Sequence, residues 1–276
     1  MESSVEYFID NNILRAKYVN LYVIDHKFEF LTTSKDVVIK PVITRANDSN
    51  FKLEPIIKFF ENSESLKNYI QKKIIKHIQG ITCFFTNYYD QHPGHGLYDS
   101  LYSIYHCFLR AGYKNEPFNI LYQFGSFNLS MKNYEIFRKF SKGNIFIKFE
   151  ELLKDTSNYR FDEIIAGSYG AGISCCNKNA TLIGDDINAM RKFRDRMLKA
   201  YNINSDNINS DNINNLKLKT VIIDSNRYSA KTKKILQEVN DYLNKTDKFD
   251  SIYVKWPTIP DQGLPCTCIR QKLVLL

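Results

Sequence analysis

The chain of 276 residues is poor in the residues that break secondary structure, with 11 glycines and 7 prolines. Turn-rich all-β sandwiches need many such residues, so their scarcity favours long helices and buried strands. No apolar run approaches the roughly 18 residues of a membrane span. The first residues, MESSVE, also lack the apolar segment of a secretory signal. These absences predict a protein without a membrane span, located in the cytoplasm.

The six cysteines do not have the spacing of a structural zinc site. Cys175 and Cys176 are adjacent, and Cys266 and Cys268 are separated by one residue, whereas zinc-binding pairs usually have two residues or more between them. Without a signal segment, free thiols in a reducing compartment are expected. The sequence therefore predicts no bound metal ion and no cofactor.

What the chain does have is positive charge, with a net charge of +8 and a pI near 9.0. Such a balance favours anionic partners in general, including nucleic acid, sugar nucleotides and membrane surfaces. The densest basic segments, residues 72–76 (KKIIK) and 231–234 (KTKK), fall in helix-like sequence and are expected to be solvated helix faces. No nucleic-acid-binding signature accompanies them, so we expect no nucleic-acid partner.

Strand and helix patterns alternate along the first half of the chain. Helical spacing of apolar residues predicts one or two helices over 54–79 and further helices over 97–109 and 130–140. β-branched and aromatic runs predict strands at 18–24, 36–44, 81–86, 118–122 and 145–149. This alternation predicts an α/β unit with a largely parallel sheet, whose ligand site lies at the carboxyl ends of the strands.

The pattern restarts after a polar insertion. Residues 186–201 predict a basic amphipathic helix, and an Asn-Ile-Asn-Ser-Asp repeat over about 202–215 is low-complexity sequence that cannot build a core. A strand at 219–225, a helix at 230–244 and a strand at 251–256 then open a second α/β unit. The predicted organisation is an N-terminal domain (1–185), a helix with a flexible insertion (186–218) and a partial C-terminal domain (219–276).

Residues 92–99 (HPGHGLYD) carry the most promising functional side chains. His95 and Asp99 are four apart at the start of the predicted 97–109 helix, so they share one face. A carboxylate that orients an imidazole and raises its basicity suits general acid–base work. The alternative is ordinary helix chemistry, in which His95 caps the helix and Asp99 accepts from first-turn amides.

A second segment, 167–172 (GSYGAG), superficially resembles a phosphate loop, but a plain turn is expected because it lacks the Lys-Ser/Thr pair.

Residues 89–104 (YDQHPGHGLYDSLYSI) resemble the acceptor-domain signature of the family 61 type of glycosyltransferases, the DUF563 group. In that signature a Gly-His-x-x-x-Asp stretch follows a strand and opens a helix, and His95 and Asp99 take the positions of its His and Asp. Residues 193–197 (FRDRM) resemble the helix that precedes the family's second domain. Residues 221–227 (VIIDSNR) resemble a family strand that ends in Ser-Arg, with one residue inserted.

The resemblance covers about residues 81–262 and implies a GT-B fold with two Rossmann-like domains, the second incomplete here. The first domain would bind a protein or glycan acceptor and the second a nucleotide-sugar donor, without an essential bound metal. The family's second domain continues into a His-Gly-Ala-x-Leu type of turn that helps to form the donor site. This chain ends before any such turn, so the resemblance implies a truncated or degenerate relative.

The resemblance also implies roles for individual residues. His95 would be the base on the acceptor hydroxyl, and Asp99 would orient it. The expected acceptor-binding residues are His92 and Tyr98, and the expected donor-diphosphate residues are Ser225 and Arg227, of which Arg227 would offset the charge of the leaving diphosphate.

Two other functions remain open on the sequence alone. One is a non-catalytic glycan-binding or assembly protein that keeps the acceptor fold, which the missing end of the second domain favours. The other is a nuclease or another phosphoryl-transfer enzyme that uses the His/Asp pair and the basic charge. The sequence shows no paired-carboxylate metal site for it.

Overall fold

The computed structural model of the protein describes residues 1–10, 13–45, 48–87, 95–123, 131–167, 187–202, 218–224, 229–246 and 249–255. The chain divides into two compact units, Met1–Ile203 and Asn204–Leu276. Among the described residues, none of the helices is long and apolar enough to cross a membrane.

The first unit combines ten strands with six helical segments within its described ranges. The strands are β1 (Ser4–Asp10), β2 (Ile13–Ile24), β3 (Lys27–Thr32), β4 (Val42–Arg45), β5 (Asp48–Leu53), β6 (Ile56–Phe59), β7 (Ile75–Thr86), β8 (Phe118–Gln123), β9 (Lys142–Lys148) and β10 (Asn158–Ala166). The helical segments are α1 (Ser63–Gln71), a π-helix (His95–Tyr102), α2 (Ser103–Arg110), α3 (Met131–Ser141), α4 (Phe149–Lys154) and α5 (Ala189–Ala200).

The central sheet has the order β6-β3-β2-β10-β7-β8-β9, and β1 also pairs with β2. Strands β7, β8, β9 and β10 are parallel, whereas β2 is antiparallel to β1, β3 and β10. The chain moves outward from β7 through β8 to β9 and then returns to the other side of β7 as β10. The fold is therefore mixed α/β with a mostly parallel central sheet, as the sequence predicted, and its strand order reverses between β7 and β10.

Each face of the sheet is buried under its own apolar core. Successive residues of a strand point to opposite faces, so Cys83 and Phe85 of β7 lie in one core and Phe84 lies in the other. The first core also contains residues of α2, α3 and α5. The second core contains Val42 of β4, Leu53 of β5 and residues of α4. Because both faces are covered, the second half of β7 and most of β8 are buried and largely apolar, which explains their clear sequence signal.

Arg196 of α5 brings a charge into the first core. Its guanidinium donates to the carbonyl oxygens of Phe140 at 2.8 Å, Glu116 at 3.0 Å and Ser141 at 3.1 Å. Burial lowers the pKa of Arg196, because removal from water disfavours the charged form. The guanidinium also lies 5.0–5.8 Å from the ring centroids of Tyr105, Phe108, Phe118 and Phe140. These contacts tie α5 to α2, α3 and β8.

The prediction of one or two helices over 54–79 is wrong at both ends. Residues 56–59 form β6, which pairs in parallel with β3, and β7 begins at Ile75. Between them, Asn62 starts α1, because its side chain accepts from the amides of Glu64 at 3.1 Å and Ser65 at 2.8 Å. The apolar pairs around residue 57 suit either a helix or a strand, and pairing with β3 decides between the two.

Two smaller predictions fail for related reasons. Residues 72–76 do not form a helix face, because Lys72 caps α1 and β7 begins three residues later. The strand predicted over 36–44 is confined to β4, which begins at Val42. Pro41 has no N–H group for a strand ladder, and Val38 is 71% exposed rather than packed.

The second unit contains β11 (Leu218–Asp224), α6 (Ala230–Asn244) and β12 (Phe249–Lys255) in its described part. β11 and β12 pair in parallel, and α6 connects them. Ser229 caps α6 by accepting from the amide of Thr232 at 3.1 Å. The side chain of Asn244 joins the end of α6 to Ser251 of β12 through bonds of 2.7 and 2.9 Å. This is the β-α-β arrangement that the sequence predicted.

Replacement of Arg196 with methionine is expected to lower the free energy of unfolding by about 3 kcal/mol, because buried carbonyl groups lose charge-assisted hydrogen bonds. Urea denaturation followed by far-UV circular dichroism measures the change. Arg194→Met is the matched control on the same helix. The side chain of Arg194 is 41% exposed and pairs with the adjacent Asp195 at 2.7 Å. Its loss is expected to change stability by less than about 0.5 kcal/mol. Equal effects of the two substitutions would contradict the role given to Arg196.

Candidate functional site

The two segments that the sequence singled out leave from the same edge of the sheet. β7 ends at Thr86, and the chain continues through Asn87 to residues 92–99. β10 ends at Ala166, and the glycine-bearing segment 167–172 follows it. Ala166 pairs with Phe84 in parallel register, so both strands end at one edge. In open α/β sheets, ligands bind outside the carboxyl ends of the strands where the strand order reverses. That position makes this edge the candidate site.

A π-helix forms the first part of the helix that opens after the 92–99 segment. It covers His95–Tyr102 and continues directly into α2, which confirms the predicted helix over 97–109 in position. Segments of π-helix are rare and are found frequently at functional sites. Asp99 is only 6% exposed. Tyr98 is half-buried, and burial raises the pKa of its hydroxyl.

The predicted site residues are described to different extents. Tyr98 and Asp99 are consecutive residues of the π-helix, and His95 is its first residue, although the side chain of His95 lies outside the described part. The predicted acceptor residue His92 and the predicted donor residues Ser225 and Arg227 also lie outside the described residues. Their roles stay predictions.

Arg15 brings a second buried charge to the same edge. It lies on β2, which is antiparallel to β10 and pairs Ala16 with Ala166. Arg15 is 1% exposed, and its Nη1 donates to the carbonyl oxygen of Gly167 at 3.1 Å. Gly167 has a φ of +125°, and a Cβ there would lie 2.8 Å from both Cα and Cγ of Arg15. Only glycine therefore fits where the chain leaves β10.

On the other face of the sheet, a chain of polar side chains fixes the end of β7. Thr86 Oγ1 donates to Oε1 of Gln123 at 3.1 Å and lies 2.8 Å from Oγ1 of Thr44. A hydroxyl has one proton, so Thr86 accepts from Thr44 when it donates to Gln123. Arg45 follows Thr44, is 6% exposed and lies 4.6 Å from the ring centroid of Phe51. β4 thus brings a second arginine to this end of the sheet.

The chemistry of this edge suits a polar or anionic ligand more than a metal ion. Its buried charged residues include Arg15, Arg45 and Asp99. Within the described ranges, no cluster of three or more His, Cys, Asp or Glu side chains is placed to hold a metal ion. No protein-family model and no curated protein matches the chain, so the residues themselves carry the functional argument.

The sequence did not lead us to most of these polar residues, although the positions of some of them within the strands point to a site. Thr86 and Gln123 are the last residues of β7 and β8, and the rule on carboxyl ends selects such positions. Arg15 interrupts an apolar strand at an inward position. No local sequence pattern marks Thr44 and Arg45 as site residues, because only the long-range packing of β4 against the sheet brings them to this edge.

Replacement of Gly167 with alanine is expected to cost about 3 kcal/mol or more, because backbone strain and a collision with Arg15 act together. Gly112→Ala is the matched control: Gly112 also has a positive φ, +93°, but nothing lies within 4 Å of its added Cβ. The control is expected to lose about 1 kcal/mol from strain alone. Urea denaturation of both variants measures the difference. If both lost the same amount, the close approach of Arg15 to Gly167 would be refuted.

Proposed function

We propose that the protein is a glycosyltransferase of GT-B type that moves a sugar from a nucleotide-sugar donor to a hydroxyl group of a protein or glycan acceptor. The observation that carries this proposal is the position of the family-like segment. It leaves the central strand β7 at the carboxyl edge, where the strand order reverses, and it leads into a π-helix that holds Asp99 in a buried position.

In this proposal the second unit binds the donor. Its parallel β11 and β12, connected by α6, are the kind of β-α-β unit that binds nucleotides at the carboxyl ends of its strands. β11 ends at Asp224, and Ser225 and Arg227 follow in the next three residues. That place in the chain suits a serine and an arginine that contact a diphosphate.

The proposed reaction transfers a glycosyl group directly. The acceptor hydroxyl attacks the anomeric carbon, the bond from that carbon to the diphosphate oxygen breaks, and His95 takes the proton of the hydroxyl. Asp99 positions the imidazole and stabilises its protonated form. The nucleoside diphosphate leaves with the electron pair of the broken bond, and Arg227 offsets the charge that develops on it.

A nucleotide-sugar donor is expected to raise the melting temperature of the protein, because a ligand that binds only the folded state stabilises it. Thermal denaturation with UDP- and GDP-sugars, each at a concentration far above its Kd, measures the shift. An unchanged melting temperature with every nucleotide would argue against a donor site. Glycan binding without any nucleotide effect would instead select a non-catalytic glycan-binding protein.

Replacement of His95 with alanine is expected to reduce kcat by about 10²- to 10⁴-fold, because a general base is lost, while the stabilisation by the donor is retained. Asp99→Asn keeps the size of a buried side chain, and its expected effect is a smaller loss with a shifted pH profile of kcat. His77→Ala is the control, since His77 lies nine residues before Thr86 on β7, about 30 Å away along the strand. An equal loss of transfer activity in the His77→Ala variant would contradict the assignment of His95 as the base.

A further inference from the structure

A cluster of charged side chains lies at the edge of the sheet opposite the candidate site, where β7 and β10 begin. His77 is the third residue of β7, and it pairs in parallel register with Arg160 of β10. Asp162 follows two residues later on β10, and its Oδ2 accepts from the amide of Gly80 at 2.9 Å. The side chains of His77, Arg160 and Asp162 are all partly exposed, so water reaches the cluster and protons exchange with it.

The imidazole of His77 uses one nitrogen for two partners. Its Nε2 lies 2.5 Å from Oδ1 of Asp162 and 2.7 Å from Nη2 of Arg160. Because these two atoms are 3.7 Å apart, they lie roughly at right angles around Nε2, whereas a ring nitrogen has a single hydrogen or lone pair in one direction. A carboxylate only accepts hydrogen bonds and a guanidinium only donates them. The two contacts therefore cannot both be hydrogen bonds, and they need opposite proton states of Nε2.

The charge of the imidazole decides between the two contacts. In the neutral ring with its hydrogen on Nδ1, Nε2 accepts from Arg160. In the protonated ring, Nε2 donates to Asp162, and the imidazolium and the guanidinium are left in contact as like charges. Their repulsion moves Arg160 away from His77. Histidine is the side chain that changes its charge between about pH 5 and 8, which suits it to such an exchange.

The guanidinium of Arg160 is held only weakly by the other described residues. Its Nη1 lies 3.6 Å from Sδ of Met1, and a thioether is a weak acceptor. Its Nε is buried and has no hydrogen-bond partner in the described part of the chain. The carboxylate of Asp162 is the kind of partner that a guanidinium prefers, but it lies beyond hydrogen-bond distance from Nη2. Displacement of Arg160 from His77 therefore breaks few strong contacts.

A movement of Arg160 is transmitted to the first residue of the chain. Tyr22 of β2 pairs with Arg160 in the sheet, and its hydroxyl donates to the carbonyl oxygen of Met1 at 2.8 Å. Burial raises the pKa of that hydroxyl, so it stays neutral. From Ser3 onward the chain has bonds of its own, such as that from the Ser3 amide to the carbonyl oxygen of Leu31 at 2.7 Å. The thioether of Met1 is therefore the group that responds to Arg160.

Further charges face the cluster from other elements. Burial lowers the pKa of the amino group of Met1, and the charges of Arg160 and of Lys67 on α1 lower it further. Asp162 is the counter-charge. Burial works against its ionisation, but the hydrogen bonds that it accepts, first of all from His77, outweigh burial and lower its pKa. The carboxylate is thus charged and able to bind a protonated His77.

We infer that His77 is a proton-operated switch for the side chains of Arg160 and Met1. When the imidazole gains a proton, Nε2 exchanges Arg160 for Asp162, and the guanidinium leaves both His77 and the thioether. When the proton is lost, Arg160 returns. The switch lies at the edge opposite the candidate site, so it neither requires the proposed function nor alters the use of His77→Ala as a control for it.

NMR spectroscopy of the full chain with 13C-labelled histidine rings and methionine methyl groups tests the switch. While the pH is changed from about 8 to about 5, the ring of His77 reports its proton and the methyl group of Met1 reports the position of Arg160. The Met1 signal is expected to shift with the same midpoint as the His77 signal. The other three methionines, Met131, Met190 and Met197, are expected not to follow it. A Met1 signal that does not move with His77 would overturn the inference.

Two variants show whether the signal passes through Arg160. His77→Gln keeps an amide group near the place of Nε2 but takes up no proton, so the Met1 step at the midpoint of His77 is expected to disappear. A step caused by the amino group of Met1 remains in this variant and is recognised in that way. In Arg160→Met, His77 is expected to titrate without any response of Met1. A Met1 step that persists in Arg160→Met would contradict the switch.

His26→Gln is the matched control, because His26 is an exposed histidine in the turn between β2 and β3. It is expected to leave the response of Met1 intact, and loss of the response in this variant would contradict the assignment to His77. The signals of Met190 and Met197, which pack against the first core, show whether each variant is folded.

Discussion

The buried charge of Arg196 is the contact on which the layer beneath the candidate site depends. A buried guanidinium is costly unless it is hydrogen-bonded, and here Nε donates to the carbonyl group of Phe140 and Nη2 to that of Ser141. Both belong to the last turn of α3, where carbonyl groups have no partner within the helix and a positive charge is favourable. One side chain thus caps α3 and fastens α5. In turn, Phe193 of α5 packs edge-on against Tyr102, the last residue of the π-helix, at 5.3 Å.

That contact changes how one part of the family resemblance is interpreted. Residues 193–197 were part of the evidence for a glycosyltransferase, yet two of them have structural roles. Phe193 and Arg196 are 5% exposed and hold α5 in the first core. Arg194 and Asp195 pair with each other on the surface. Folding alone explains this segment, so the segment that leads to His95 and Asp99 is the main support for the proposed function.

The sequence predicted the parts of the fold that local periodicity determines. The second half of β7 and most of β8 are buried on both faces and form largely apolar runs, and α6 shows helical spacing after the capping Ser229. The prediction was wrong where pairing between distant strands determines the secondary structure, as at β6, whose four residues suit either a helix or a strand. For the same reason it located residues 92–99 at a strand end but missed Arg15 and Thr44. Their position depends on which strands become neighbours, and no local pattern encodes that choice.

The end of β7 connects both faces of the sheet. Phe85 points into the core beneath α2 and α3, whereas Thr86 points to the opposite face and bonds to Thr44 and Gln123. Alternation along a strand makes this division unavoidable. The π-helix therefore rests on one face and the bonded side chains of Thr44, Thr86 and Gln123 lie on the other, while a single strand end positions both.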